Sequence, residues 1–348
     1  MRHTPFLLVV LLATGCSKEQ PVAGNIVTAT VMAKAETTPV GTADDAADDP
    51  AIWRHPSDPA KSLIIGTDKR AGIHVYDMTG KAIGFTASPR LNNVDLRDNV
   101  SVNGKDAVIV AASDRRDEEN AAIALFTLDT SAQKLLPLAN LPVGKGEAYG
   151  MCLWQRKADG QLYAFLVLKD GRIDQVELTV SGGAATGKVV RSMKLKTQSE
   201  GCVVDDRTGL LYVTEEDAGL WRFDADPSAS IKATELSRAD GKQLVADAEG
   251  IAIMPVGSDA GFLIVSSQGD NAYAVYDLKS GRYRSRFRIG GGAIDGVQET
   301  DGLELMTGNF GADYPGGLFV TQDGDNSPET QNFKFTAWAD VLKVLKLD

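Results

Sequence analysis

The feature that most constrains this chain is an internal repeat of about fifty residues. Each copy begins with an acidic residue, a small residue and an apolar run, as in 249–253 (EGIAI). Four copies are marked by glycines spaced 51, 49 and 52 residues apart, namely Gly150, Gly201, Gly250 and Gly302. Two earlier segments, 93–96 and 49–53, continue the series at looser spacing, which makes six copies. A fixed period of this length is typical of a repeat architecture.

Each copy continues with short runs that predict β-strands. A second run, such as 162–167 (LYAFLV), is uniformly apolar, and a third run, such as 272–277 (AYAVYD), alternates with a period of two. Gly, Asp and Asn bound these runs, as they commonly bound strands. No copy has the 3.6-residue period of a helix, which excludes a helical solenoid. Three or four strands in each of six copies predict an all-β fold, a six-bladed β-propeller.

The ring of blades needs closing, and the N-terminal part of the chain is available for this. The last copy lacks an obvious fourth strand, while the β-branched segment 25–34 (NIVTATVMAK) has no partner. We therefore predict that 25–34 completes the last blade. Such closure removes the free edges of the sheet.

The first residues have the pattern of an export signal. Arg2 and His3 precede an apolar run over 6–13, which is too short to span a bilayer. The following Ala-Thr-Gly-Cys resembles the bacterial lipoprotein box, which implies cleavage before Cys16 and lipidation of its thiol. The alternative is an ordinary secretory signal with an incidental cysteine.

These patterns divide the chain into three parts. We predict a lipoprotein signal peptide over 1–15, a short tether over 16–24 and one propeller domain over 25–348. Ser17 rather than an aspartate after the cysteine favours sorting to the outer membrane. We expect an exported monomer that is anchored to the cell envelope by lipid or released outside the cell.

The propeller geometry brings charged residues to one mouth of the central channel. The first strand of a blade lines the channel and the second runs back, so the first begins where the second ends. Acidic residues lie at the starts of first strands: Asp49, Asp95, Glu147, Glu200, Asp247, Glu249, Asp295 and Asp301. The ends of second strands add Lys69, Arg115, Lys169, Glu216, Asp270 and Asp323.

Converging carboxylates need a counter-charge. Two like charges about 4 Å apart repel by roughly 4 kcal/mol at an effective dielectric of 20, and a bound cation relieves this repulsion. With three His and three Cys in the chain, the available ligands are hard oxygens, which favour Ca²⁺ or Mg²⁺, and their crowding favours Ca²⁺. The alternative is that each acidic side chain only caps a turn.

The cations at the same mouth indicate a polyanionic ligand. Lys69, Arg115 and Lys169 beside a metal form a site for phosphate, although they could instead form internal salt bridges. A net charge of −11 argues against nucleic acid, which needs clustered Lys and Arg. We therefore expect a small-molecule substrate.

Several motifs resemble those of the β-propeller phytases, the alkaline and calcium-dependent class. The longest is 44–53 (DDAADDPAIW), and the chain is similar to this family from about residue 30 onward. Shorter matches are 92–97 (NNVDLR), 147–150 (EAYG), 199–201 (SEG), 215–217 (EED) and 247–250 (DAEG). The resemblance implies hydrolysis of inositol hexakisphosphate, presented as its calcium complex, in the manner of a 3-phytase.

The resemblance also implies roles for individual residues. The residues that hold substrate phosphates or act in catalysis would be Lys69, Arg115, Tyr149, Lys169 and Glu216. The ligands of several calcium ions would be Glu36, Asp49, Glu200, Glu216, Asp247, Glu249, Asp295 and Asp301.

Other phosphatase mechanisms lack their residues. A histidine nucleophile needs an Arg-His-Gly context, which neither His55 nor His74 has. A cysteine nucleophile needs Cys-x5-Arg, and Cys152 and Cys202 are followed by arginine at other spacings. Direct attack by a calcium-bound water remains. Two alternatives stay open: another calcium-dependent hydrolase of the lactonase type, and a non-catalytic calcium-binding module.

The two cysteines of the propeller are expected to be thiols. Cys152 lies two residues after Gly150, whereas Cys202 lies one residue after Gly201. Successive residues of a strand face opposite sides. We therefore predict two buried thiols rather than a disulfide.

Overall fold

A computed structural model describes residues 26–347. These residues form 25 strands, two short 3₁₀ segments (Pro59–Lys61 and Gln268–Asp270) and one α-helix, α1 (Trp338–Leu345). The strands make six separate sheets. The prediction of an all-β, six-bladed propeller is confirmed. The predicted signal peptide, tether and Cys16 lie outside the described residues, and no helix within 26–347 is long and apolar enough to cross a membrane.

The first four complete blades follow one another along the chain. Two N-terminal strands precede them, β1 (Ala29–Met32) and β2 (Ala35–Glu36). Blade 1 contains β3 (Ala47–Trp53), β4 (Leu63–Asp68), β5 (Gly72–Tyr76) and β6 (Ala82–Ala87). Blade 2 contains β7 (Leu91–Val102), β8 (Lys105–Asp114), β9 (Asn120–Asp129) and β10 (Lys134–Lys145). Blade 3 contains β11 (Ala148–Gln155), β12 (Leu162–Leu168), β13 (Arg172–Ser181) and β14 (Ala184–Lys194). Blade 4 contains β15 (Ser199–Asp205), β16 (Leu210–Glu215), β17 (Gly219–Asp224) and β18 (Thr234–Arg238).

The last two blades also use the N-terminal strands. Blade 5 contains β19 (Ala248–Val256), β20 (Ala260–Ser267), β21 (Ala272–Asp277) and β22 (Tyr283–Gly290), with β1 added at its outer edge. Blade 6 contains β23 (Leu303–Thr307), β24 (Gly317–Asp323) and β25 (Asn332–Ala337), with β2 as its fourth strand.

The N-terminal closure is confirmed, but with different residues from those predicted. Ala35–Glu36 pairs with the last strand of blade 6, whereas Ala29–Met32 pairs in parallel with Phe287–Gly290 of blade 5. The predicted segment 25–34 therefore belongs mainly to the preceding blade. The two-residue strand that closes blade 6 is too short to leave a recognisable period in the sequence.

The apolar core lies between neighbouring blades. Leu153 and Leu166 of blade 3 pack against Ile109 and Ile123 of blade 2, and all four side chains are buried. Second strands such as β12 are buried along their whole length because both sheet faces are covered. This accounts for their uniformly apolar sequences.

Glycines let the first strands approach one another around the channel. A Cβ on Gly150 would lie 1.8 Å from the carbonyl oxygen of Glu200 in the next blade. The same contact is made by Gly201 on Glu249, and the Gly302 N–H donates to the Asp48 carbonyl at 3.0 Å. The repeated glycine is therefore required by close packing.

The cysteine prediction is wrong, because Cys152 and Cys202 form a disulfide between first strands of blades 3 and 4. Each strand contains a bulge, but at different places. The bulge in blade 3 precedes Gly150, whereas that in blade 4 lies between Ser199 and Cys202. Counting from the glycines therefore does not give the side to which each cysteine points.

Candidate active site

Six equivalent positions at the starts of the first strands form an inner ring at one mouth of the channel. Four of them immediately precede the packing glycines, and the Gly302 contact identifies Asp48 as the member from blade 1. Asn92 joins them because its amide donates to Glu200 at 2.7 Å. The inner ring comprises Asp48, Asn92, Tyr149, Glu200, Glu249 and Asp301.

A second set of residues lies around this ring, just after the second strands or near their ends. In each blade the backbone N–H of this residue donates to a backbone carbonyl near the start of the first strand. Examples are Glu216 to Gln198 and Gln268 to Asp247. The outer ring comprises Lys69, Arg115, Lys169, Glu216, Gln268 and, in blade 6, Gly324, whose N–H donates to the Gln298 carbonyl at 2.8 Å. The side chains of Gln268 and Gln322 line the mouth where Asp270 and Asp323 were predicted.

Three buried carboxylates meet on one side of the mouth. Glu200, Glu216 and Glu249 offer oxygens that all lie within 4.8 Å of one another. Their exposed fractions are 3%, 7% and 5%. One oxygen of Glu216 and one of Glu249 are buried without a hydrogen-bond partner among the described residues. Glu216 and Glu249 line a cavity of about 460 Å³ at this mouth, and Asp247 lines it as well.

Burial and mutual repulsion raise the pKa values of these acids. The pKa of Glu216 rises to about 8, first through burial and then through nearby carboxylates such as Glu200. Burial likewise raises the pKa of Glu249, and the charge of Glu200 adds to the shift. The protein alone therefore does not provide enough positive charge for this cluster.

Lys69 neutralises another part of the mouth. Its Nζ lies 2.6 Å from Asp45, 3.2 Å from Asp48 and 3.0 Å from Asp301. Burial opposes its charge, but Asp48 and Asp301 raise the pKa of its ammonium. Burial nevertheless raises the pKa of Asp48 to about 7. One lysine therefore compensates the surrounding carboxylates only in part.

Two further cations flank Tyr149. The Arg115 guanidinium and the Lys169 ammonium each lie 5.2 Å from the centre of its ring. Arg115 also donates to Asn92 at 2.9 Å and pairs with Glu147. Burial, followed by the charges of Glu200 and Glu249, raises the pKa of the Tyr149 phenol, which keeps its proton for donation.

Comparisons with known proteins relate the whole chain to one family. A family model described as Phytase matches residues 3–348. A 3-phytase from Bacillus subtilis (strain 168) is 41% identical over 326 residues, covering 90% of this chain and 85% of that protein. The chain belongs to the phytase family. A solved glucose dehydrogenase covers 82% of this chain and 96% of its own at 11% identity, with a TM-score of 0.49, which is too distant to bear on function.

Membership of the phytase family confirms the resemblance seen in the sequence and the prediction of an enzyme of this class. The site residues stay predictions, but the structure places most of them at one mouth. Those that it brings together are Lys69, Arg115, Tyr149, Lys169, Glu200, Glu216, Asp247, Glu249 and Asp301.

Four acidic residues lie elsewhere in this phytase-family propeller. Asp49 lies farther into the channel, where its carboxylate accepts from the Val94 N–H at 3.0 Å. Glu36 and Asp295 both pair with the buried Lys334, away from the inner ring. Asp95 was predicted at the mouth, but it lies within β7 and pairs with Arg97 at 2.9 Å.

The carboxylates at strand-two ends of blades 5 and 6 also face other partners. Asp270 binds the buried Arg286, with Oδ1 and Oδ2 each 2.6 Å from its Nη2. Asp323 lies 3.3 Å from the ammonium of Lys334. These acids were predicted at the mouth because counting from the apolar runs does not fix the last residue of each strand.

Sequence reasoning missed Asp48, Asn92, Gln268 and Gln322. Asp48 adjoins Asp49, and only the register of the repeat distinguishes them: the residue before each glycine faces the mouth. In blade 1 Asp49 takes the place of the glycine, so the same register selects Asp48. The glutamines carry no charge, so a search for charged residues passes over them.

The donor set fits a calcium ion. The side chains around the cavity offer carboxylate and amide oxygens, which are the ligands that calcium prefers. Among residues 26–347, one oxygen each of Glu216 and Glu249 has no hydrogen-bond partner, and a bound cation would favour the ionised form of both acids. The phytase-family mouth therefore combines a candidate cation site with a candidate phosphate site.

Proposed function

We propose that the chain is a calcium-dependent phosphomonoesterase that hydrolyses inositol hexakisphosphate as its calcium complex, releasing inorganic phosphate and lower inositol phosphates. Family membership supports the substrate class. The observation that carries the proposal is that Glu200, Glu216 and Glu249 converge at the same mouth as Lys69 and the cations flanking Tyr149.

The proposed calcium ligands are the acids of the cluster and the inner ring. They are Asp48, Glu200, Glu216, Asp247, Glu249 and Asp301, with Asp49 behind them in the channel. Calcium bound there would polarise phosphoryl oxygens and supply the attacking water. Glu36 and Asp295 are not included, because both pair with Lys334 rather than with the residues of the cluster.

The cationic side of the mouth would hold the substrate phosphates. Lys69, Arg115 and Lys169 are placed to neutralise phosphate oxygens and the charge that develops on the departing group. The Tyr149 hydroxyl would donate a hydrogen bond, since its raised pKa keeps it protonated. The guanidinium of Arg115 can bind two phosphate oxygens at once.

The proposed cellular setting comes from the sequence. The signal pattern over 1–15 and the cysteine at position 16 support export and an N-terminal lipid anchor. We propose a monomer, because one chain supplies all the site residues.

Phosphate release from calcium phytate tests the function directly. The mature protein is stripped of metal, and release is measured before and after calcium is restored, with a lactone as a second substrate. We expect release from phytate only with calcium, and no lactone hydrolysis. Equal release without calcium contradicts the metal dependence, and no release with calcium contradicts the function.

A further inference from the structure

Next to the acidic side of the mouth lies an ion pair, Arg286 with Asp270, that the proposed chemistry does not use. Arg286 lies on β22, the fourth strand of blade 5, and is fully buried. Its Nη2 lies 2.6 Å from both carboxylate oxygens of Asp270. The hydroxyl of Ser267 donates to the same carboxylate at 2.7 Å.

This ion pair is connected to the loop that precedes Asp247. The Val245 N–H donates to the Ser267 hydroxyl oxygen at 2.8 Å, and Arg286 Nη1 donates to the Lys242 carbonyl at 3.4 Å. Gly269 packs on the same loop, since a Cβ there would lie 1.9 Å from the Ala246 carbonyl oxygen. Contacts thus hold the loop at three positions within five residues of Asp247.

The same segment reaches a second acid of the mouth. Gln268 begins the 3₁₀ segment that ends at Asp270. Its backbone N–H donates to the Asp247 carbonyl at 3.0 Å, and its side-chain amide donates to Asp301 at 2.7 Å. Movement of Asp270 would therefore be transmitted to two candidate calcium ligands.

We propose that Arg286 is a positioning residue which, through Asp270, holds the loop 242–247 so that Asp247 and Asp301 present their carboxylates to the cation. The inference rests on the proposed function. Arginine suits the role because its guanidinium bonds a carboxylate and a carbonyl in two directions at once. A half-buried Asp270 without its partner would turn toward water or another donor and draw the loop with it.

The chain offers a matched control in Arg191. Its side chain is also buried, but it donates to Gln175 at 2.9 Å and to the Asp224 carbonyl at 2.7 Å, between blades 3 and 4. Neither contact leads to the mouth. Arg191→Met therefore reports the cost of losing a buried arginine without displacing the candidate ligands.

The test compares Arg286→Met, Arg286→Lys and Arg191→Met in the mature protein. Calcium affinity is measured by titration of metal-stripped protein with calcium alone, and hydrogen exchange is measured over 242–247 in chelator. We expect Arg286→Met to weaken calcium affinity about tenfold or more and to speed exchange in the loop. Arg191→Met should change neither, even where its melting temperature falls, and Arg286→Lys should recover part of the affinity.

Two outcomes overturn the proposal: unchanged affinity and exchange in Arg286→Met, or an equal loss of affinity in Arg191→Met. If Arg286→Met does not fold, Asp270→Asn replaces it and is judged by the same two measurements. If the wild type binds no calcium, the proposed function fails at its metal, whereas the exchange comparison still decides whether Arg286 holds the loop.

Discussion

Blades 1 to 3 and blades 4 to 6 carry different charges at equivalent positions of one fold. The outer ring carries Lys69, Arg115 and Lys169 in the first half, but Glu216, Gln268 and Gly324 in the second. The inner ring has three carboxylates in the second half, Glu200, Glu249 and Asp301, but only Asp48 in the first. The repeat therefore sets where a side chain lies, and substitution within the repeat sets its charge. A cation site and an anion site can then face each other across one channel.

Removing a carboxylate from the acidic half should have the largest effect. We expect Glu216→Gln to lower kcat roughly a thousandfold, because the loss of one charge weakens the binding and placement of the cation. The measurement is steady-state release of phosphate from calcium phytate. Glu235→Gln is the control, since Glu235 lies on the surface and pairs with Arg238. Near-normal kcat in Glu216→Gln would remove Glu216 from the catalytic set.

Removing a cation from the other half should have a smaller effect of a different kind. We expect Arg115→Ala to lower kcat/KM roughly a hundredfold while leaving calcium affinity largely intact, because Arg115 faces Tyr149 and Asn92 rather than the acidic cluster. Kinetics and calcium titration on the same sample separate the two effects. A lower kcat with an unchanged KM would show that Arg115 acts on the transition state.

Full activity in both Arg115→Ala and Lys69→Ala would contradict the comparison between the halves. It would mean that the cations only compensate neighbouring acids, as the contacts of Lys69 with Asp45, Asp48 and Asp301 would allow. The mouth would then have a cation site but no phosphate site.

The fold could be predicted from the sequence because the repeat is visible in the residues that must be apolar or glycine. The glycines that pack on the next blade, such as Gly150 on Glu200, mark every later copy. Much of the site could also be predicted, because its charged residues have fixed positions within the repeat. Asp48 was missed because the adjacent Asp49 has the same charge, and a one-residue shift in a strand reverses the direction of a side chain.

The remaining differences between the expectations and the structure have local causes. A bulge reversed the expected relation between Cys152 and Cys202. Glu36 and Asp295 were grouped with the mouth, but a distant lysine, Lys334, holds both of them. Such pairings depend on three-dimensional neighbours that no spacing in the sequence records.

The disulfide joins the two halves, and breaking it tests whether their separation matters. Cys152 lies three residues after Tyr149 in blade 3, and Cys202 lies two residues after Glu200 in blade 4. We expect the Cys152→Ser/Cys202→Ser variant to lose about 2–4 kcal/mol of unfolding free energy, measured by denaturant titration. Activity should fall only several-fold, because other first-strand contacts remain. If this variant loses more activity than Lys169→Ala does, the disulfide itself sets the distance between the halves.

The smallest expected effect is a pH dependence that belongs to the acidic half. In metal-free protein the folded-state pKa values of Glu216 and Asp301, about 8 and about 7, lie above those of unfolded acids. The folded state then binds more protons than the unfolded state between about pH 4 and 8, so stability falls as pH rises through this window. We expect the melting temperature of metal-stripped protein to drop by roughly 2–4 °C for each kcal/mol lost. Added calcium should reduce the drop, because it binds the ionised carboxylates. Glu216→Gln should flatten the decline and Lys169→Ala should leave it unchanged, so an equal response in both variants would mean that the pH dependence does not arise in the acidic half.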